Sequence, residues 1–173
     1  MNYQNLTLET ERLLLIPIDM KYAEEIFREF QEPVTKYVYS KAPEKIEETK
    51  TFIKAMQEGM QKGTDIVMVI LKKDTREFLG CCGIHHLDQK NPEMGIWTKK
   101  SAHGHKYGRE AVSKLQDWAV ENLEFDHIIF AIVAENIASR KIAESLGGKI
   151  KKEYQQTMLS GRIYDMVEYW VEK

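Results

Sequence analysis

Apolar and polar residues follow two recurring spacings along this chain, and each spacing predicts a type of element. Four segments carry apolar residues at intervals of three and four, which places those residues on one face of a helix. These helices are predicted after Asp19, Pro43, Gly108 and Asn136. Short apolar runs bounded by turn residues are typical of strands. The predicted strands are 13–16, 66–71, 78–87, 94–97, 127–133, 149–155 and 162–171.

Local signals mark where the predicted helices begin and end. Asp19 is a favourable N-cap, because its side-chain oxygen can accept a hydrogen bond from a free N–H group of the first turn. Pro33 ends the first helix, Gly63 the second, and the pair Gly147 and Gly148 the fourth. The elements then run strand, two helices, three strands, helix, strand, helix and two strands. This order predicts a mixed α/β domain with helices on the faces of one sheet.

The composition is that of an ordinary globular protein. The chain has 173 residues, of which 43% are hydrophobic and 30% charged, and it contains no repeat or linker-like stretch. Residues 1–173 are therefore expected to form a single domain. The net charge of −2 argues against binding to nucleic acid or an acidic membrane. Short apolar runs, no signal-peptide pattern and two adjacent cysteines favour a cytoplasmic location.

Residues 91–122 contain the most informative pattern, a strand followed by a glycine-bearing turn and an amphipathic helix. Gly104 and Gly108 allow a tight turn and a close approach of backbone N–H groups to a ligand. The first turn of the helix adds unpaired N–H groups and the positive end of the helix dipole. Four cationic or ionisable side chains favour the same ligand charge: His103, His105, Lys106 and Arg109. The segment predicts a phosphate-binding site, although it could also be an ordinary helix start.

Two other phosphate-binding motifs fit this segment less well. A Walker loop requires Gly-Lys followed by Ser or Thr, whereas Gly108 is followed by Arg109 and Glu110. A dinucleotide-binding fingerprint requires three glycines in the spacing G-x-G-x-x-G, and only two are present.

Four segments resemble, in order, the motifs of the GNAT (GCN5-related N-acetyltransferase) family, most closely the RimJ/RimL-type subgroup of ribosomal-protein N-terminal acetyltransferases. Together they span nearly the whole chain, and the third and fourth are the specific ones. The segments are ETERLLLIP, FLGCCGIHHLDQKNPEMGIW, HGHKYGREA and NIASRKIAESLGGK.

The resemblance implies a fold and an activity. The fold would be a single-domain GNAT-like α/β fold with a central mixed, mostly antiparallel sheet of about seven strands and helices on both faces. The activity would be transfer of an acetyl group from acetyl-CoA to a primary amine, either a peptide N-terminus or a small amine. The amine would attack directly within a ternary complex. Neither a metal nor a covalent enzyme intermediate would be involved.

The resemblance also implies which residues bind acetyl-CoA. The pantetheine arm would lie along the strand at residues 96–98, as an added strand does, and the glycine loop would hold the pyrophosphate. Asn136 would contact the same arm, although Asn is also a common N-cap. The expected cofactor-binding residues are Ile96, Trp97, Thr98, His103, Gly104, His105, Lys106, Tyr107, Gly108, Arg109, Asn136, Ser139 and Lys141.

The chain departs from the family pattern at three positions. Lys106 stands at the first glycine of the pyrophosphate loop, where it could contact phosphate or crowd the loop. Ala143 stands where relatives often carry a tyrosine that acts as general acid, so no donor for the leaving thiolate is evident. Gly148 stands where an aromatic residue is common, which affects only local packing.

Glu93 is the candidate catalytic base. It lies two residues before Gly95, and on a strand Glu93, Gly95 and Trp97 share one face. Such a carboxylate could remove a proton from the acceptor amine, provided that partial burial raises its pKa. The alternative interpretation is a solvated charge at a turn.

Cys81, Cys82, His85 and His86 are residue types that bind zinc. Neighbouring residues on a strand point to opposite faces, however, so the four cannot converge on one ion and no metal site is expected. One of the two histidines is expected to face the substrate cleft. Trp97 and Trp118 are expected in the core, and Tyr164 and Trp170 could line the acceptor pocket or belong to the sheet.

Two other functions stay open at this point. The absent tyrosine and Lys106 would also fit a non-catalytic acyl-CoA-binding module. The helix N-terminus alone would fit a nucleotide-phosphate binder. The expected partners are acetyl-CoA and an amine acceptor, and the protein would act as a monomer or a homodimer.

Overall fold

The computed structural model describes residues 1–173 and shows one eight-stranded sheet with the order β1-β2-β3-β4-β5-β6-β8-β7. All neighbouring strands are antiparallel except β5 and β6, which are parallel. The strands are β1 (Leu8–Glu9), β2 (Leu13–Pro17), β3 (Ile66–Lys72), β4 (Phe78–His85), β5 (Glu93–Thr98), β6 (His127–Val133), β7 (Lys149–Thr157) and β8 (Ile163–Glu172).

Four α-helices connect these strands. They are α1 (Ala23–Glu29), α2 (Ile46–Lys62), α3 (Tyr107–Asn122) and α4 (Ile137–Ser145). Asp19 accepts from the N–H of Lys21 as predicted, but it caps a short 3₁₀ turn, and α1 itself begins at Ala23 and ends at Glu29, before Pro33. Gly63 ends α2 at φ 82°, a left-handed conformation that glycine adopts without steric cost.

The sheet has one strand more than the seven expected. The extra strand, β1, contains only Leu8 and Glu9, which is too short for a hydrophobic period to reveal. The predicted strand 78–87 ends earlier, at His85, because His86 adopts a left-handed φ of 61° that breaks the extended backbone.

The helices lie on both faces of the sheet. Ile96 and Trp97 are neighbours on β5 and therefore point to opposite faces. Trp97 packs on Phe30, just after α1, with ring centroids 4.9 Å apart. Ile96 lies against Gly108 of α3, where an added Cβ would come within 3.1 Å of Ile96 Cδ1. Thus α1 and α2 cover the first face, and α3 and α4 cover the second.

Burial follows position in the sheet. β3 is central and has six consecutive buried residues, which explains its continuous apolar sequence. β7 is an edge strand with almost every residue exposed, and its lysines discourage pairing with another chain. None of the four helices is both long enough and apolar enough to cross a lipid bilayer.

Candidate active site

A cleft passes between β5 and β6, because these two strands separate after they meet. Their ladder contains a single pair, Glu93 with Ile129. Beyond that pair, the edge of β5 that faces β6 has no partner strand over residues 94–98. The resulting cleft has a volume of about 830 Å³ and is lined from both faces of the sheet.

The predicted glycine loop lies at the end of β5, between that strand and α3. Gly104 and Lys106 both have positive φ, 82° and 62°. The lysine at this position therefore occupies a conformation that glycine adopts more easily. The six N–H groups from Gly104 to Arg109 donate no hydrogen bond to the protein. These free N–H groups and the helix dipole together produce a positive electrostatic potential at the start of α3.

An ionic clasp holds this loop, and we use the name for Thr10, Arg12 and Glu110 together. Glu110 Oε1 accepts from the Thr10 hydroxyl at 2.5 Å and from the Arg12 backbone N–H at 3.1 Å. Glu110 Oε2 accepts from Arg12 Nε at 2.7 Å. Arg12 Nη2 also donates to the carbonyl of His105 at 3.1 Å, and its guanidinium lies 4.7 Å from the Tyr107 ring centroid. The clasp thus ties the lead-in of β2 to both the loop and α3.

The clasp explains the electrostatics of Glu110. Partial burial favours the protonated form, but the hydrogen bonds from Thr10 and Arg12 and the charge of Arg12 outweigh it, so the pKa of Glu110 is lowered. The sequence did not indicate Thr10, Arg12 or Glu110 as site residues, because Arg12 and Glu110 lie 98 residues apart along the chain.

Two histidines complete the loop. His103 and His105 each place a ring nitrogen near a backbone carbonyl: Nε2 of His103 is 3.0 Å from the oxygen of Thr98, and Nδ1 of His105 is 2.9 Å from the oxygen of His103. The His105 ring stacks on Tyr107 at 5.4 Å. The histidines therefore shape the loop, while Lys106 and Arg109 stay exposed on its outer side.

Asn136 lies at the N-terminus of α4 and lines the cleft together with Ser139. Its Oδ1 accepts from the Ser139 N–H at 3.2 Å, so the predicted capping role is present in the structure. Its amide nitrogen donates no hydrogen bond to the protein. Lys141 is exposed on α4 and does not line the cleft.

Glu93 lies in the cleft, opposite His85 in the β4–β5 ladder. Burial within the cleft walls raises the pKa of its carboxyl, the neighbouring His85 and His86 lower it, and the charge of Glu168 raises it, with a net rise. Solvent still reaches the side chain through the cleft and moderates these effects. The net effect is a raised pKa of the Glu93 carboxyl, which is the direction that a general base working near neutral pH requires.

Both histidines near Glu93 line the cleft, although only one was expected to. Nδ1 of His85 lies 2.9 Å from the Asp65 carboxylate, which fixes the orientation of the ring. Tyr154 also lines this part of the cleft. Its pKa is raised by burial and by the charges of Glu168 and Glu93, so its hydroxyl is protonated at neutral pH.

Several other candidates lie elsewhere. Tyr164 and Trp170 do not line the cleft: Tyr164 packs on Tyr37 at 5.8 Å, and Trp170 stacks on His127 at 3.8 Å. Trp118 packs on Tyr3 as part of the core. Trp97 packs against the core and also lines the cleft.

The two adjacent cysteines are held in an unreactive form. Cys81 and Cys82 are free thiols buried in β4. Burial raises the pKa of Cys82 to about 12 and raises that of Cys81 well above its usual range. Both are therefore protonated, which is the unreactive form. No three His, Cys, Asp or Glu side chains are grouped so as to hold a metal ion.

The sequence profile described as Acetyltransferase (GNAT) domain matches residues 12–149. The chain belongs to the GNAT acetyltransferase family. Its reaction is transfer of an acetyl group from acetyl-CoA, the co-substrate, to an amine. Among curated proteins, an uncharacterized N-acetyltransferase of Bacillus licheniformis, p20, is 28% identical over 166 residues, covering 92% of each chain.

Solved structures show the same fold at lower sequence identity. RimL, a ribosomal L7/L12 alpha-N-protein acetyltransferase, is similar with a TM-score of 0.85 and 15% identity over 97% of this chain and 94% of its own. The microcin C7 self-immunity acetyltransferase MccE, solved with acetyl-CoA and AMP, has a TM-score of 0.82 and 19% identity over 95% of this chain and 94% of its own.

Proposed function

We propose that this GNAT enzyme holds the acetyl-CoA diphosphate at residues 103–109 and uses Glu93 to deprotonate an acceptor amine. The amine then attacks the thioester directly. The observation that carries the proposal is the run of six unpaired N–H groups from Gly104 to Arg109. The run lies beside the cleft that contains Glu93, because Gly108 packs on Ile96 and Ile142 of the cleft lining. Donors of this kind at a helix start are what a diphosphate requires.

The residues around the loop fit this ligand. Gly108 packs closely on Ile96 and Ile142, at 3.1 Å and 3.6 Å from a hypothetical Cβ, so α3 can approach the end of β5. Lys106, Arg109 and Arg12 surround the loop with positive charge. The free edge of β5 from residue 94 to 98 offers backbone hydrogen bonds to the pantetheine arm, as an added strand would. Ile96, Trp97 and Thr98 lie on that edge.

The chemistry follows from these positions. Glu93 takes a proton from the acceptor ammonium, and the nitrogen lone pair attacks the thioester carbonyl carbon. A C–N bond forms and the C–S bond breaks, while a backbone N–H on the free edge of β5 stabilises the charge on the carbonyl oxygen. The second proton lost by nitrogen balances the one gained by the leaving thiolate. Alignment of the two substrates in one ternary complex replaces a covalent intermediate.

Further parts of the proposal concern the whole protein. The acceptor is a small amine or a peptide N-terminus, a range that includes the α-amine specificity named for RimL. Residues 1–173 form one N-acetyltransferase domain, supported by one continuous sheet and by a profile match over residues 12–149. The protein works in the cytoplasm, as its free thiols favour, and acts as a monomer or a homodimer.

Binding and turnover test this proposal separately. Coenzyme A at ~100 times its dissociation constant should stabilise the fold by ~2.7 kcal/mol. That corresponds to a rise in melting temperature of roughly 5–10 °C for a chain of this size. A comparable shift with ATP or NAD would instead indicate a nucleotide-phosphate binder. With acetyl-CoA and a panel of amines, release of free thiol is expected; binding without release would indicate a non-catalytic module.

Replacing Asn136 with Asp should separate its capping role from ligand binding. Asp keeps an oxygen that can accept from the Ser139 N–H, so stability should stay within about 0.5 kcal/mol of wild type. It removes the free amide donor and adds a negative charge, so the dissociation constant for coenzyme A should rise about tenfold. Thermal unfolding and calorimetric titration measure the two effects. Unchanged affinity in Asn136→Asp would show that Asn136 only caps α4.

A further inference from the structure

The part of the cleft on the α1–α2 face has a composition of its own, and we call it the acceptor chamber. Glu93, Gly95 and Trp97 form its floor on β5, and Val133, Met166 and Tyr154 continue that face across β6, β8 and β7, where they lie in register. Apart from Glu93, these side chains are apolar or aromatic. A substrate entering from this face thus meets a carboxylate beside an apolar surface.

The mouth of the acceptor chamber is also apolar, and it is exposed. Tyr39, Phe52 and Leu159 line the cleft with 52%, 45% and 60% of their areas accessible. The backbone N–H of Leu159 donates to the carbonyl of Tyr39 at 3.2 Å, which joins two walls of the mouth. Large apolar groups held around one opening are a favourable contact surface for an apolar part of a ligand.

Two carboxylates line the cleft, and only Glu93 lies on the chamber floor. Glu48 lines the cleft, but its Oε2 accepts from the N–H groups of Glu44 and Lys45 at 2.6 Å and 3.2 Å as part of the α2 cap. Glu168 is buried and does not line the cleft; its Oε1 is held by Trp170 Nε1 at 2.6 Å and Lys152 Nζ at 3.0 Å. Glu93 is therefore the carboxylate on the chamber floor, whereas Glu48 keeps its charge within the N-terminal cap of α2.

We infer that the acceptor is a primary amine with a single positive charge and a bulky apolar or aromatic substituent next to the amine. The ammonium meets Glu93, and the substituent packs on the floor and mouth of the acceptor chamber. Polyamines, which carry several charges, find one carboxylate on an apolar floor that cannot solvate the other charges. The inference rests on the proposed function and specifies its substrate class. A free small amine and the first residue of a peptide share this chemistry.

Rates with matched amines test the inference. Leucinamide, phenylalaninamide and glycinamide present similar α-amines, so differences in kcat/KM report contact with the side chain. With acetyl-CoA saturating and thiol release as the readout, leucinamide and phenylalaninamide should exceed glycinamide by about tenfold or more, the scale expected for burying an apolar side chain. Spermidine should be a poorer substrate than leucinamide.

Substitutions at the mouth of the acceptor chamber test whether its apolar side chains cause the difference in kcat/KM between amines. Phe52→Asp and Leu159→Asp change exposed side chains, so both proteins should fold; each should lower kcat/KM for leucinamide about tenfold, with little change for glycinamide. Ile163→Asp is the matched control: Ile163 is 65% exposed and lies outside the cleft, so the rates of this variant and its affinity for coenzyme A should equal those of wild type.

A tetrapeptide beginning with Leu, compared with leucinamide, shows whether a peptide or a small amine is preferred. A high rate with either substrate supports the inferred chemistry.

The outcomes separate the inference from the function on which it rests. Equal rates with glycinamide and leucinamide, or a higher rate with spermidine, would overturn the inferred substrate class while the acetyltransferase mechanism stands. Coenzyme A binding without thiol release on any amine would overturn the proposed mechanism, and the inferred substrate class with it.

Discussion

Replacing Glu93 with Gln is expected to lower kcat by about 10²- to 10⁴-fold, the usual contribution of a general base. Gln keeps the size and hydrogen-bonding capacity of the side chain but cannot take the amine proton. The dissociation constant for coenzyme A should be unchanged, because the loop at residues 103–109 is untouched. Steady-state rates at saturating amine and calorimetric titration with coenzyme A measure the two quantities.

A matched Glu→Gln change elsewhere serves as the control. The Glu124 side chain is 99% exposed and lies outside the cleft, so Glu124→Gln should have wild-type kcat. If Glu93→Gln keeps wild-type kcat at saturating amine, Glu93 is not the base, and the proton leaves by another route.

The raised pKa of Glu93 sets the direction of two pH effects. Only the deprotonated carboxylate can act as base, so the acidic limb of kcat should lie above the ordinary Glu value of about 4.3 and should disappear in Glu93→Gln. For stability, a raised pKa means that the folded state binds the proton more tightly than the unfolded chain. The stabilisation is present below the unfolded pKa and is lost as pH rises through the folded pKa. Glu93→Gln should therefore fold at least as stably as wild type at neutral pH.

Breaking the ionic clasp should be the second large effect, and it should act on binding. Arg12→Ala removes the hydrogen bonds to Glu110 and to the carbonyl of His105. The loop loses its tie to β2, and the Glu110 carboxylate loses its cationic partner one residue after Arg109, near the proposed diphosphate site, while it keeps its hydrogen bonds from Thr10 and from the backbone N–H of residue 12. The dissociation constant for coenzyme A is expected to rise by about 10- to 100-fold, since partners of a charged group are costly to remove. Lysine at position 12 should restore only part of the affinity, because it keeps the charge but not the fork of donors.

A double-mutant cycle distinguishes this role from general destabilisation. Arg12→Ala combined with Glu110→Ala should bind coenzyme A more tightly than Arg12→Ala alone, because the negative charge that has lost its cationic partner is gone. Arg28→Ala is the control: Arg28 forms an exposed pair with its neighbour Glu29 and should bind as wild type does. Additive losses in the cycle would show that Arg12 and Glu110 act on the loop independently.

Much of the fold was predictable because its signals are local. In α3, Ala111, Leu115 and Ala119 are fully buried, as their spacing of four residues predicted. The cap at Asp19 and the end at Gly63 follow from side-chain oxygen chemistry and from the freedom of glycine at positive φ. The family motifs pointed to the glycine loop and to Asn136; Asn136 lines the same cleft as Glu93, and the loop lies beside it, with Gly108 against Ile96 and Ile142 of the cleft lining.

Other features depend on residues far apart in the chain. The separation of β5 from β6 after the pair of Glu93 and Ile129 leaves no mark in either strand's own pattern. The contact of Arg12 with Glu110 spans 98 residues, and the acceptor chamber combines side chains from α2, β5, β7 and the turn at Leu159.

The sequence by itself determined the types and order of the main elements and the family likeness, because propensity, capping and backbone freedom act within a few residues. It also predicted an anion-binding loop at residues 103–109. Only the tertiary structure decided that two strands separate into a cleft, that an arginine near the N-terminus holds the loop, and that Glu93 shares a floor with apolar side chains. These outcomes depend on which distant side chains pack and pair when the sheet assembles, and no local pattern encodes that choice.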